Sequence, residues 1–268
     1  VGLGFMFPES IADWDMTGNP FEVQNQISNE ILGIGDVFSE VEDYDFQVQS
    51  NGCDILSENR ECVNYRTTMS ETGRYPNIVY SYMVPEDMDM YVCANDSKQV
   101  LSYVYLDSVP LEDDGTYLTQ TEMLHVGEVK KGQIVTLLIS NNTSYNEESS
   151  TNIYVYKYND SVMDKVDETL RRSTLNVEKI TDTHVYGNIT TDKDGILYTS
   201  IPYYRGFNVY IDGEKSDITK IGNTMCGVRL TEGRHEVEFR YIPYGLRCGI
   251  MLSVLGLVTM LVYIKKRR

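Results

Sequence analysis

Tyr203-Tyr204-Arg205-Gly206-Phe207 is the stretch whose residue types most directly suggest chemistry. Adjacent aromatic rings stack on the apolar C–H faces of sugars, and a neighbouring arginine reaches hydroxyls or a phosphate. Tyr203, Tyr204, Arg205 and Phe207 are therefore the candidate glycan-binding residues. In the competing reading Phe207 fills a sheet core while the tyrosines brace the loop. Other reactive side chains are dispersed. His125, His184 and His235 show no metal-ligand spacing, and neither HExxH nor GxSxG occurs. Glu112-Asp-Asp-Gly115 and Asp192-Lys-Asp-Gly195 resemble pieces of a calcium loop without its spaced ligands and closing Glu, so they read as turns. Cysteines stand at 53, 62, 93, 226 and 248; Cys53 and Cys62 flank a polar loop, Asp54 to Glu61, across which a disulfide is open to them. No catalytic residue, metal ligand or cofactor is expected.

The elements that must carry this loop read mainly as strands. Asn19 caps and Pro20 opens a helix with apolar Val23, Ile27, Ile31 and Ile34, stopped by Gly33 or Gly35. Residues before it read as loop. From Tyr44 the period becomes two, with strands expected over 44–49, 63–69, 77–84, 90–94, 101–106, 122–126, 134–140 and 152–158. Ser161 to Leu170 is a short helix, with Ser161 as cap and Asp164 completing a capping box. Strands resume over 174–180, 184–190, 196–201, 208–211, 225–230 and 235–242, and Asp212-Gly213 and Glu232-Gly233 read as hairpin turns. The expected fold is a mainly β, antiparallel β-sandwich, jelly-roll-like, with one or two short helices. Its parts are a lead-in (1–40), a sandwich (41–158), a helix (159–173) and a second β-rich part packed on or completing the sandwich (174–244). The last part, 245–268, is membrane helix and tail.

That last segment is apolar from Leu246 to Ile264, charged only at Arg247, and ends Lys265-Lys266-Arg267-Arg268. Its nineteen residues span roughly 28 Å as a helix, close to the ~30 Å hydrocarbon core of a bilayer. The terminal cations predict a cytoplasmic tail and an extracellular bulk, with the lipid bilayer as partner through 246–264. The net charge of −17 argues against nucleic acid, which needs a basic footprint. Twenty-one tyrosines against one tryptophan suit strands and half-wet surfaces. The opening Val1-Gly-Leu-Gly-Phe-Met shows neither an initiator Met nor a signal-peptide core, so the chain reads as a fragment.

Leu197-Tyr-Thr-Ser-Ile-Pro-Tyr-Tyr-Arg-Gly-Phe-Asn-Val-Tyr-Ile-Asp-Gly213, then Gly227 to Tyr241 with its Gly233-Arg-His235, resembles the paired signature of bacterial YfhO-type membrane proteins. Asn19-Pro-Phe-Glu-Val-Gln-Asn25 resembles the family's NPFE-QN stretch. Phe207 departs from the tryptophan usual there, which favours a core role. The resemblance implies the C-terminal extracellular region and last transmembrane helix of a polytopic, GT-C-like glycosyltransferase. Such proteins are implicated in glycosylating teichoic acids of Gram-positive bacteria from a lipid-linked donor. The catalytic acid would lie in an upstream membrane domain, a partner of this region; Asp13 and Asp15 match no catalytic motif. The region itself is expected to be non-catalytic and to position an anionic cell-envelope glycopolymer. The rival is a membrane-anchored surface carbohydrate-binding or adhesion module without enzymatic activity.

Overall fold

The computed structural model describes residues 2–68, 76–96, 99–111, 123–141, 144–243 and 245–267. Glu112–Gly115, Met69, Glu122 and Arg268 lie outside them. The first residues are not loop: β1 (Gly4–Phe7) is a strand, followed by a 3-10 turn at Glu9–Asp13. α1 (Pro20–Asn25) starts at Pro20, with the Asn19 side chain accepting from the Phe21 N–H at 3.0 Å, and continues as a π-helical turn, Gln26–Ile31. Its buried residues are Phe21, Val23, Asn25 and Ser28, so Ile27, Ile31 and Ile34 do not form the core stripe expected of them.

The strands β2 (Phe38–Glu40), β3 (Phe46–Asn51), β4 (Cys53–Glu58), β5 (Cys62–Thr67), β6 (Asn77–Met83), β7 (Met88–Asn95), β8 (Gln99–Leu106), β9 (Val109–Pro110), β10 (Leu124–Val129), β11 (Ile134–Asn141) and β12 (Glu148–Tyr158) belong to a compact unit, Met16–Lys165. They make two antiparallel sheets, ordered β10-β7-β12-β5-β4 with β2 on β12, and β3-β6-β11-β8-β9. Both inner faces feed one core, with Val63, Tyr65, Met90, Val92 and Ile153 from the first sheet and Ile78, Tyr80, Val104, Leu137 and Ile139 from the second. β11 shows the cause in its alternation of buried and half-exposed residues. Buried tyrosines need partners for their hydroxyls. Tyr65 donates to Asp96 at 2.8 Å, and Tyr80 donates to the Arg60 carbonyl at 2.9 Å.

Two sequence expectations fail here. Asp54 to Glu61 is mostly strand, because β4 is an edge strand whose polar side chains face water. The Cys53–Cys62 disulfide is absent, and both are free thiols. Cys53 pairs opposite Thr67, whereas Cys62 follows the turn at the other end of the same hairpin. That separation is about 17 Å, five steps along the strand at ~3.3 Å each, against the 4.4–6.8 Å a disulfide requires.

α2 (Asp160–Arg171) begins one residue before the expected cap. Ser161 donates its hydroxyl to Asn159 Oδ1, and the Asn159 carbonyl accepts from Val162 and Met163. The remaining strands are β13 (Asn176–Thr181), β14 (His184–Thr191), β15 (Gly195–Pro202), β16 (Phe207–Ile211), β17 (Glu214–Ser216), β18 (Thr219–Ile221), β19 (Met225–Leu230) and β20 (Gly233–Tyr241). With residues 1–15 they form a second compact unit. Its sheets run β1-β15-β19-β18 and β13-β14-β20-β16-β17, separate from the sheets of Met16–Lys165. Leu197, Val209, Val228, Val237 and Phe239 fill its core. Asp212-Gly213 is a two-residue hairpin turn with φ of 52° and 83°, the doubly positive geometry such turns need. Glu232-Gly233 is not a hairpin. β19 and β20 lie in different sheets, and the chain crosses between them there.

α3 (Leu246–Arg267) follows a joint containing Pro243 and Gly245. Its span Cys248–Arg267 is long and apolar enough to cross a membrane, and none of it is buried. A core helix of a soluble protein would be covered.

Candidate functional site

The NPFE-QN stretch folds into a clasp. Asn19 caps α1 through its carbonyl oxygen, and its amide donates to the Tyr156 hydroxyl at 2.8 Å. That hydroxyl donates in turn to Glu22 Oε1 at 2.8 Å. Phe21 is fully buried and stacks on the Tyr156 ring at 4.3 Å between centroids. Burial, then the Glu22 carboxylate, pushes the Tyr156 hydroxyl above its ordinary range, so it stays a neutral donor. Asn25 is buried; its amide donates to the Phe38 carbonyl at 2.7 Å and accepts from the Phe38 N–H at 3.0 Å. The side chain thus stands where another strand would pair with β2. The Asn19 cap and Pro20 at the first helical position are the parts legible from the sequence.

The Leu197–Gly213 signature is similarly engaged in structure. Leu197 and Val209 are core, and Thr199 Oγ1 donates to the Cys226 carbonyl at 2.7 Å. Tyr203 and Phe207 are half-buried against the same core. Lys220 Nζ lies 4.3 Å from the Tyr203 ring centroid, and Phe207 packs on Tyr241 at 5.0 Å. Of the four candidate glycan contacts, only Tyr204 (63% exposed) and Arg205 stand free in solvent. The loop therefore offers one ring rather than a platform of adjacent rings. Gly206 has φ +119°, and a Cβ there would meet the Ile242 carbonyl oxygen at 2.3 Å. The Ile242 N–H donates to the Gly206 carbonyl at 2.9 Å.

Asp212 links the two signature segments. Its carboxylate accepts from the Glu236 N–H at 2.9 Å and faces His235 Nδ1 at 2.8 Å, while His235 Nε2 faces the Thr231 carbonyl at 3.0 Å. The backbone N–H, then His235, holds the Asp212 carboxyl below its ordinary range. His184 and His125 pair instead with Glu238 and Asp89. The three histidines do not converge, and among the described residues no group of three or more His, Cys, Asp and Glu could hold a metal ion.

A cleft in the Met16–Lys165 unit went unnoticed in the sequence. It encloses about 570 Å³ and is lined by Asp43, Tyr44, Asp45, Arg60, Lys131 and Gly132 among others. The Arg60 guanidinium lies over the Tyr44 ring at 5.9 Å, and the Tyr44 hydroxyl donates to the Arg60 carbonyl at 3.2 Å. Burial raises the Tyr44 hydroxyl above its usual range. Carboxylates, cations and a ring edge in one open groove suit a polyhydroxylated ligand. Four segments converge on it, from 43–45, 60, 83–85 and 131–132, and no local spacing announces that.

Two antiparallel β units and, among the described residues, an exposed apolar helix long enough to cross a membrane define the class as a β-rich protein with a candidate membrane span. The pattern of the family described as "Bacterial membrane protein YfhO" matches residues 1–253, and the chain belongs to that family. It is 25% identical over 76 residues to YfhO of Bacillus subtilis (strain 168), a match covering 28% of this chain and 9% of that protein. Among solved structures, a conserved protein of unknown function from Pseudomonas aeruginosa matches at 8% identity with a TM-score of 0.21, over 76% of this chain and 91% of the other. A vicilin from Capsicum annuum matches at 9% identity with a TM-score of 0.15, over 72% and 81%.

Proposed function

We propose that this chain is the non-catalytic, membrane-anchored region of a larger glycosyltransferase acting on cell-envelope glycopolymers such as teichoic acid, and that it positions the acceptor outside the cell. The observation that carries the reading is the use of the signature residues. Asn19 to Asn25 and Leu197 to Gly213 are engaged in caps, clamps, core and turns, which supports a scaffold whose chemistry resides elsewhere in the parent protein. The acceptor contact best furnished in shape and chemistry is the Asp43–Tyr44–Arg60–Lys131 cleft. Tyr204 and Arg205 supply at most a single ring and cation.

The test uses the full-length parent in its own cells. Arg60→Ala with Asp45→Ala should leave the protein level in the membrane unchanged and lower sugar incorporation into the polymer. Unchanged incorporation would remove the acceptor role from the cleft. Orientation is tested separately with Cys62 and Cys248 replaced by Ser. A Cys at Ser216 should then react with an impermeant maleimide on intact cells, and a Cys after Arg268 should not. The reverse pattern would overturn the extracellular placement.

A further inference from the structure

The connections of the C-terminal unit sort into two ends. β20 runs toward α3, so its last residues mark the end from which the chain enters the apolar helix. Register places the Asp182–Thr183 turn, the Tyr203–Gly206 loop and the Gly222–Thr224 turn at that same end, because His184 pairs with Arg240, Phe207 with Tyr241, and Pro202 with Met225. The opposite end holds the Asp192–Asp194 turn, the Asp212-Gly213 turn and the Thr231–Glu232 crossover.

Apolarity and charge divide the same way. Outside α3, the unit's exposed large apolar side chains among the described residues are Ile180 at 65%, Tyr204 at 63% and Ile242 at 38%. All three lie at the α3 end. The connections of the far end carry Asp192, Asp194, Asp212 and Glu232 against Lys193. Those of the near end carry Arg205 against Asp182 and Asp217, with Lys220 over the Tyr203 ring. A recess of about 410 Å³ also sits at this end, lined by Gly206, Asn208, Lys215, Ile242, Pro243 and Cys248 among others. Ile242 is bonded to Gly206 and lies four residues before α3 begins, so the loop is within about 14 Å of the helix start at ~3.5 Å per residue. The interfacial layer on each side of the hydrocarbon core is about 5–8 Å thick. Tyrosine beside cations is the composition that settles in that layer, ring at the acyl boundary and cation at the phosphates.

We infer that this end of the unit is a membrane-contact rim. Tyr204, Ile180 and Ile242 lie in the headgroup layer of the leaflet that α3 enters, and Arg205, Lys215 and Lys220 meet the phosphates of anionic phospholipid. The acidic far end is thereby held away from the lipid. This contact requires the apolar helix and nothing of the glycosyltransferase reading.

The test uses the full chain, reconstituted through α3 into bilayers of phosphatidylglycerol with brominated acyl chains. Trp14 is the chain's one tryptophan, so Trp14→Phe gives a silent background once its melt matches the parent. In it, Tyr204→Trp and Ile180→Trp should each lose most of their emission relative to unbrominated lipid. Lys193→Trp, in the far-end turn after Thr191, should keep it. Adding Arg205→Glu and Lys220→Glu should restore part of the Tyr204→Trp emission, more at low salt than at high. Quenching of Tyr204→Trp and Ile180→Trp no greater than that of Lys193→Trp overturns the rim. So does a Tyr204→Trp signal that ignores brominated lipid but shifts with a soluble glycerol phosphate polymer, because the loop then faces polymer instead.

Discussion

Asp212 shows how one carboxylate ties a turn to its neighbour strand, and its pH behaviour follows from its bonds. The folded group titrates below its ordinary range of about 3.9, so it contributes stability above that range. That contribution fades as the pH falls through the folded value. Asp212→Asn keeps the left-handed backbone, which Asn tolerates, and removes the charge. Urea melts should show a loss below about 1 kcal/mol near neutrality, since the side chain is half-exposed, and no difference from the parent in strong acid. A difference that persists there would mean the carboxylate's charge is irrelevant. Phe207 is half-buried on Tyr241, so Phe207→Ala should cost about 2 kcal/mol, less than the 3–5 of a fully buried ring. Thermal melts of Phe207→Ala and Arg205→Ala check this, with Arg205→Ala within about 0.5 kcal/mol of the parent.

Elements divide by how local their causes are. The α1 cap and the Asp212-Gly213 turn were legible because a few adjacent residues decide them. The alternating strands of the cores were legible for the same reason, and so was α3. What failed depended on partners far along the chain. β4 reads as polar loop because only one of its faces is covered, and β1 has no signal beyond the strand it finds at β15. Glu232-Gly233 carries the glycine of a hairpin, yet positive φ serves a crossover between sheets equally well. The tyrosine-arginine loop was visible as composition, but which rings face the core is set by β18 and β20. Asn25 is a further case, since its type says nothing of the strand edge it closes. Asn25→Ala should leave the Phe38 N–H and carbonyl unpaired in a buried place and cost about 2–4 kcal/mol. Hydrogen exchange at the Phe38 amide, accelerated well beyond that of the β11 amides, would confirm that the damage starts at β2; uniform acceleration would refute it.

On the scale of the molecule, the chain begins and ends in the same unit. β1 pairs with β15, and Ser200 N–H bonds the Leu3 carbonyl across 197 residues of sequence. Thermodynamically such a closure is cheap, since each doubling of loop length adds only about 0.6 kcal/mol. Removing residues 1–7 should therefore destabilise the C-terminal unit and leave the melt of Met16–Lys165 unchanged. A single merged transition shifting as a whole would contradict that independence. The arrangement also makes Met16–Lys165 an insertion, a guest module spliced into a host whose two pieces flank it. During synthesis the host's first strand must wait unpaired while the guest folds to completion, because its partner emerges much later. The same layout makes the guest removable: Asp15 joined to Val166 by a short flexible linker leaves every host strand its partner. Over evolutionary time, one membrane-tethered host could exchange guests without rebuilding its attachment to the bilayer.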